Sequence, residues 1–340
     1  MTSTYDMPVA GDEPIWDIFL SQHFFPALSV ADEIGLFPAL ADGPLETDAL
    51  AAAIEVDARA LSIHLGLLAA LGLATRREGK WGDTAVSRAY LVPDSPFYWG
   101  ALINGGEPSQ LHRNLLAALR PGTRDWTEGR PVGNWESGQL EIEQARHIAA
   151  FMHAHSLPAA IAAARSGVFE GVKSLMDVGA GSGCFAIAAA RANPGLRATI
   201  MELPAMCEAA RPYIEEGEVA DRVTAQAVDM FREPWPEGHD ALFFSNIWHD
   251  WNEETCGELA AKAHAALAPG GRIILHEQLM NDTSTGPLTT ASFSMLMLLG
   301  TRGKQYSLAE LRAILEPAGF SEVGAVHSRG YYSLVTGRKA

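Results

Sequence analysis

The stretch Asp177-Val178-Gly179-Ala180-Gly181-Ser182-Gly183 lies between an apolar run, Val172 to Met176, and a helical one, Cys184 to Ala192. That order puts the three glycines in a turn from strand to helix. Without side chains, Gly179, Gly181 and Gly183 let the backbone turn sharply and approach a bound ligand closely. Open α/β sheets bind their ligands in such turns, beyond the carboxyl ends of the strands. The stretch therefore predicts an α/β sheet with a ligand at this edge.

The flanking acids narrow the ligand. A dinucleotide fingerprint reads G-x-G-x-x-G. This turn reads G-x-G-x-G, with Asp177 two residues ahead of its first glycine. An acidic group there suits an ammonium better than a pyrophosphate. Glu202 follows the next apolar run, Ala198–Met201, and is itself followed by Leu203 and Pro204. A carboxylate in that place is suited to hold both hydroxyls of a ribose. Asp229-Met230-Phe231 closes the third run, Val223–Val228, and offers an acceptor and a soft, polarisable face for an adenine. Ammonium, ribose and adenine without phosphate describe S-adenosyl-L-methionine, and that is the cofactor these positions predict.

The chain has 340 residues, enough for two domains or one large domain with a lobe. Its 48% hydrophobic content supports a packed core. Acids outnumber bases by 41 to 25, and the formal charge of −16 repels nucleic acid and anionic membrane. Cys184, Cys207 and Cys256 have no paired spacing, which argues for a reducing compartment and against a zinc cluster. Met1–Glu13 carries neither a basic nor an apolar targeting region. No apolar run reaches the ~18 residues of a spanning helix. The nearest, Ala291–Leu299, is interrupted by Ser292 and Ser294 and stops at Gly300. A soluble cytoplasmic protein without nucleic-acid or membrane partners is expected.

Residues 14–73 read as helices with short breaks. Ile15, Phe19, Phe24 and Leu28 fall near helical spacing, as do Leu61, Leu65, Leu68 and Leu71. Glu46-Thr47-Asp48 predicts a helix start, with Thr47 or Asp48 as its cap. Leu73–Arg77 and Lys80–Gly82 predict a hairpin turning at Glu78-Gly79. Helices followed by a hairpin make a winged-helix pattern. Residues 1–100 hold 14 acids against five bases, so a dimerisation lobe fits this charge and DNA binding does not. A mixed stretch over 97–140 carries Trp99, Trp126 and Trp135. Residues 139–166 predict a long linker helix with a kink or restart at Pro158. From 172 onward, apolar runs at 174–178, 197–201, 223–228, 240–245 and 271–276 alternate with helical segments. That alternation implies right-handed crossovers and a parallel sheet. Val323–Ser328 and Tyr331–Gly337 flank Arg329-Gly330, a hairpin signal that adds one antiparallel strand.

Asn246-Ile247-Trp248-His249-Asp250-Trp251 follows the fourth strand directly, on the same sheet edge as the glycine turn. A neutral His249 there is placed to take the proton from a hydroxyl as its oxygen attacks a methyl group. A base helps because a phenol, with a pKa of about 10, is mostly un-ionised at neutral pH. A sulfonium needs no activation, so positioning and one base suffice. Glu277, at the end of the fifth strand, is placed to orient His249 and stabilise its imidazolium. His276 precedes Glu277 on that strand, so the two side chains should point to opposite faces. His153 and His155 lie two apart on a helix and diverge, so no metal is expected.

Residues 13–338 resemble the small-molecule O-methyltransferases that include plant caffeate methyltransferases, acetylserotonin methyltransferase and bacterial polyketide or carotenoid methyltransferases. The likeness rests on His249-Asp250-Trp251, then an acid and Cys256, and on the distance from His249 to Glu277. It implies an α/β fold: a Rossmann-like, seven-stranded, mostly parallel sheet with one antiparallel strand, joined to a winged-helix dimerisation domain. The expected domains are 1–100 for dimerisation, 101–166 for linker helices and part of the substrate pocket, and 167–340 for catalysis. The resemblance implies His249 as base, Glu277 as its partner and a homodimer. Met152 and Ser156, within Met-His-Ala-His-Ser, match a family segment whose Met lines the acceptor pocket and whose Ser contacts the cofactor. Two positions depart from the plant members. Ser245 replaces a Lys near the adenine, and Gln305, after Gly303-Lys304, replaces a second Glu that flanks the base. Gln accepts a hydrogen bond without carrying charge, so it stabilises an imidazolium less, and it also donates to a carbonyl. C-methylation of an α-keto acid or an activated aromatic carbon, with a metal in some relatives, is therefore the alternative to O-methylation. The candidate set is His249, Glu277 and Gln305 for catalysis. Ser156, Asp177, Gly179, Gly181, Gly183, Glu202, Leu203, Asp229, Met230, Phe231 and Ser245 are candidates for the cofactor. Met152, His153, Trp248, Asp250 and Met295 are candidates for the acceptor.

Overall fold

The computed structural model describes residues 6–122 and 135–340; Trp126 lies outside the described residues. Contacts divide the chain into two compact units. One holds Glu13–Val132 and Met280–Ser307; the other holds Met1–Asp12, Gly133–Leu279 and Leu308–Ala340. These boundaries differ from those expected at 100 and 166. The segment Met280–Ser307 follows the sheet's fifth strand in sequence yet packs with the N-terminal helices. Among the described residues, no helix is long and apolar enough to cross a membrane.

In the first unit, helices over Glu13–Ser21, Phe24–Glu33, Leu36–Ala41, Thr47–Ala53 and Ala58–Ala70 precede two short strands, β1 (Thr75–Arg77) and β2 (Lys80–Gly82). Their register pairs Arg77 with Lys80 across a two-residue turn. Glu78 and Gly79 in that turn have φ of 50° and 81°. Positive φ at both central residues gives the turn whose twist matches a hairpin, so the predicted wing is present. The helix start at 46–48 differs from expectation. Glu46 occupies the cap position without a side-chain cap bond, and Thr47 Oγ1 accepts from the Trp81 indole at 3.0 Å. Thr47 thus ties its helix to the hairpin. Leu61, Leu65 and Leu68 share a core with Phe37, Leu40 and Trp81, and helix Leu288–Gly300 adds Met295 and Leu298.

The second unit is a seven-stranded sheet. Its strands are β3 (Ser174–Val178), β4 (Arg197–Glu202), β5 (Val223–Ala227), β6 (His239–Ser245), β7 (Leu267–Gln278), β8 (Phe320–His327) and β9 (Tyr332–Lys339). They lie in the order β5-β4-β3-β6-β7-β9-β8. Neighbours from β5 to β7 pair in parallel, and β9 runs antiparallel to both β7 and β8. The single antiparallel strand predicted from the sequence is β9. Chain order reverses at β3, between β4 and β6, which is where open α/β sheets bind ligands. Helices Ile142–Arg165 and Cys184–Ala192 join the core of this sheet largely through alanines, among them Ala160, Ala163, Ala186 and Ala189. Helix Ile142–Arg165 runs unbroken through Pro158, so no restart occurs there.

Candidate active site

Gly179, Gly181 and Gly183 have φ of 67°, 58° and 75°, the left-handed region that favours glycine. Space separates their roles. A Cβ at Gly179 would stand 2.5 Å from Ile247 Cδ1, and one at Gly183 would stand 2.2 Å from Ile200 Cδ1. At Gly181 it would meet only Met152 Cβ, at 3.9 Å. The turn is therefore closed by packing at its ends and open at its middle, where Met152 borders it. Glu202 spans the turn: Oε1 accepts from the Gly181 N–H at 2.9 Å and Oε2 from the Leu203 N–H at 2.8 Å. Burial pushes its pKa up, and these two bonds work against that. Each oxygen retains a lone pair for a hydroxyl donor. Asp177 is buried and accepts from the Ala186 N–H at 3.1 Å. Burial lifts its pKa to about 7. The acid that the sequence offered to an ammonium here anchors the first turn of helix Cys184–Ala192.

At the end of β5, Asp229 Oδ1 accepts from the Phe231 N–H at 2.9 Å, and Oδ2 pairs with Arg232 at 2.6 Å. Burial acts to raise the Asp229 pKa, but Arg232 and the backbone donors outweigh it and hold the carboxyl below its usual range. Lys262 donates to the carbonyls of Met230 and Phe231, each at 2.7 Å, and Trp251 meets Phe231 edge to face at 4.7 Å. Lys262 was not legible in the sequence: it lies on helix Glu253–Ala266, and only the fold brings it to this turn. Ser245 Oγ lies 3.0 Å from His276 Nδ1, its register partner on β7. The Ser that replaces the plant lysine thus faces a buried histidine.

The chain leaves β6 through Asn246, whose φ of 54° turns it sharply, and enters a short helical turn over Trp248–Asp250. Glu277 at the end of β7 organises this turn. Its Oε1 accepts from the N–H groups of Ile247 and Trp248 at 3.2 and 3.0 Å, and its Oε2 lies 3.1 Å from His249 Nδ1. Cys256 donates its Sγ–H to the Trp248 carbonyl at 3.3 Å, which gives the motif cysteine a bracing part. His249 is buried, with Asp250 Oδ1 3.8 Å from its Nε2. Burial lifts Asp250 to about 7; His249 works against this and Glu277 with it. Trp248 is fully buried and packs edge-on against Phe244 at 5.9 Å, so its ring supports the turn from behind.

The remaining candidates separate by location. Met152, His153 and Ser156 all lie on helix Ile142–Arg165. Met152 borders Gly181, and Ser156 Oγ is 3.3 Å from His155 Nδ1. His153 turns to the glycine turn, with Nδ1 3.0 Å from Ser182 Oγ. His155 feels burial, which lowers its pKa, then Asp12, which raises it, and also His249, which lowers it. Asp12 and Tyr332 had no signal in the sequence, yet Asp12 acts electrostatically on both His155 and Tyr332. Gln305 and Met295 belong to the first unit. There the Gln305 N–H donates to Ser294 Oγ at 2.8 Å and Met295 is buried in the core.

An open glycine turn at the sheet's switch point, a carboxylate at the next strand end and a histidine–carboxylate pair across the edge define the S-adenosylmethionine-dependent methyltransferase class. The residues present fit the cofactor, since the glycine of this turn with space at its missing Cβ, Gly181, is bonded to Glu202. The O-methyltransferase domain matches residues 112–321, and the O-methyltransferase dimerisation domain matches residues 16–93. The chain belongs to the O-methyltransferase family, and its methyl donor is S-adenosylmethionine. It is 34% identical over 329 residues to the 3-hydroxy-5-methyl-1-naphthoate 3-O-methyltransferase of Streptomyces sahachiroi, covering 92% of this chain and 91% of that one. It is 28% identical over 324 residues to acetylserotonin O-methyltransferase of Bos taurus, covering 92% and 93%. The O-methyltransferase family 2 protein from Planctomyces limnophilus, solved with apigenin, is 27% identical and superposes with a TM-score of 0.89 over 100% of this chain and 99% of that one.

Proposed function

We propose that this protein methylates a phenolic hydroxyl of a small aromatic molecule, with His249 as general base. The 3.1 Å approach of His249 Nδ1 to Glu277 Oε2 carries this reading. The Glu277 carboxylate beside Nδ1 favours a proton on that nitrogen and so leaves the basic lone pair on Nε2. The bound cofactor supplies an electrophilic methyl on a sulfonium. His249 Nε2 takes the hydroxyl proton while the acceptor oxygen bonds to that methyl. Glu277 then lies against the imidazolium and lowers its energy, with Asp250 3.8 Å from the other nitrogen. Glu202 is suited to hold the ribose hydroxyls, and Asp229, Met230 and Phe231 the adenine. Met152 borders the methionine end.

Both a hydroxynaphthoate and apigenin, named for the relatives, are hydroxylated aromatics, which supports an aromatic acceptor here. The dimerisation domain and the exposed Ile15, Ile18 and Phe19 support a homodimer. Cys184, Cys207 and Cys256 are buried and not joined in disulfides, which fits a reducing, cytoplasmic setting. A methyl-transfer screen over naphthols, catechols, flavonoids and α-keto acids, with the methylated atom located by NMR, tests the reaction. An O-methyl ether from at least one phenol is expected. Transfer confined to carbon, or to α-keto acids, would overturn the proposal.

A further inference from the structure

We propose that His153 is a positioning residue for the cofactor: through Ser182 it holds the glycine turn in its binding shape. The inference rests on the proposed placement of the cofactor at Gly179–Gly183. His153 belongs to helix Ile142–Arg165, next to Met152, which borders the open face of Gly181. Its Nδ1 is 3.0 Å from the hydroxyl of Ser182. Its ring stacks on Tyr213, with centroids 4.3 Å apart and planes 25° from parallel. Tyr213 lies on helix Pro204–Glu216, which follows Glu202. One side chain thereby joins two helices to the turn.

The physical need for such a tether follows from the turn's composition. Ser182 is buried and stands between Gly181 and Gly183, both in the left-handed region. Residues without a Cβ sample many backbone shapes, so an untethered turn of this kind loses affinity to ordering. A bond from a helix to the turn's hydroxyl side chain, Ser182, removes that freedom before the ligand arrives. The chemistry of imidazole also suits the place. Burial lowers the His153 pKa, with Glu216 working against it, so the ring adds no positive charge beside a cationic cofactor.

Calorimetric titration with S-adenosylhomocysteine and steady-state kinetics test the idea. His153→Ala should weaken S-adenosylhomocysteine about tenfold and raise KM for S-adenosylmethionine by a similar factor. Its kcat at saturating cofactor should stay within about twofold of wild type. His153→Asn, whose side-chain amide reaches the position of Nδ1, should recover most of the affinity. His153→Phe keeps the ring on Tyr213 without the bond and should behave like the alanine variant. Ser182→Ala should match His153→Ala, and the double variant should be no worse than either single one. Unchanged affinity in His153→Ala and Ser182→Ala, or a rise in the acceptor's KM alone, would overturn the proposal. Should His153→Ala fail to fold, Ser182→Ala carries the same test. Gly181→Val separates the two readings. If that variant still binds S-adenosylhomocysteine, the cofactor placement fails; if it alone loses binding, only the role of His153 fails.

Discussion

His249 is placed by one carboxylate that does two things. Glu277 brings one oxygen within 3.1 Å of Nδ1, and with the other it gathers the N–H groups of Ile247 and Trp248, so the proposed base and its turn share one carboxylate. His249→Ala should lower kcat by about 10²–10⁴-fold, the usual worth of a positioned base. Affinity for S-adenosylhomocysteine should hardly change. The loss should shrink as pH approaches the acceptor's own pKa, because a phenolate needs no base. Rates across pH with two acceptors of different acidity would show this, and a loss equal at every pH counts against general-base transfer. Glu277→Gln keeps an acceptor for the turn and should cost less than His249→Ala. Asp177 gives a prediction about stability. Its pKa is about 7 in the fold and close to 3.9 in an unfolded chain. Between those values the folded protein holds a proton that the unfolded chain releases, so stability falls as pH rises through about 4 to 7 and levels above. Asp177→Asn keeps an oxygen for the Ala186 N–H but does not titrate. Its melting temperature should therefore gain on wild type between pH 5 and 7.5 in scanning fluorimetry; a constant gap would show that Asp177 does not titrate in this range.

The turn from β3 into helix Cys184–Ala192 sets packed and open glycines within five residues. Substitution at Gly179 or Gly183 drives a Cβ into Ile247 or Ile200 and damages the core. Gly181 meets no such wall, so substitution there tests the proposed ligand site rather than the core. Gly181→Val combines a strained φ of 58° with a branched side chain in the space beside Met152. The variant should keep a folded sheet by circular dichroism and lose measurable S-adenosylhomocysteine binding. Retained affinity in a folded variant would remove the turn as the cofactor site. The opposite edge of this site is held by helix Glu253–Ala266, whose Lys262 caps the carbonyls of Met230 and Phe231.

Among the described residues, each unit has a large core of its own, and the N-terminal helix carries exposed apolar side chains. On helix Glu13–Ser21, Ile15 and Ile18 are 72% and 76% exposed, and Phe25 follows at 58%. Residues of this size left in water favour a partner surface. Light scattering should give twice the 36.5 kDa of one chain at micromolar concentration. The double variant Ile15→Asp/Ile18→Asp should shift it toward the monomer, since each charge would be stranded in an apolar contact. A wild-type monomer under these conditions would contradict the dimer.

Strand positions, the glycine turn and the wing hairpin were legible because their signals are local. Apolar runs at 174–178, 197–201 and 240–245 match β3, β4 and β6 closely, and Glu78-Gly79 specifies a two-residue turn by backbone preference. His249 and Glu277 were legible as a pair because adjacent parallel strands end on one edge, and β6 and β7 are adjacent. Partners were another matter. Nothing near Asp177 announced Ala186, nothing near His153 announced Ser182, and Lys262 reaches a turn about thirty residues away. The return of Met280–Ser307 to the N-terminal helices was equally hidden, because its apolar helix reads the same in either core. Local sequence determines which backbone shapes are cheap and which faces are apolar. Hydrogen-bond partners and core membership depend on what packing brings within about 3 Å, and only the tertiary structure decides that.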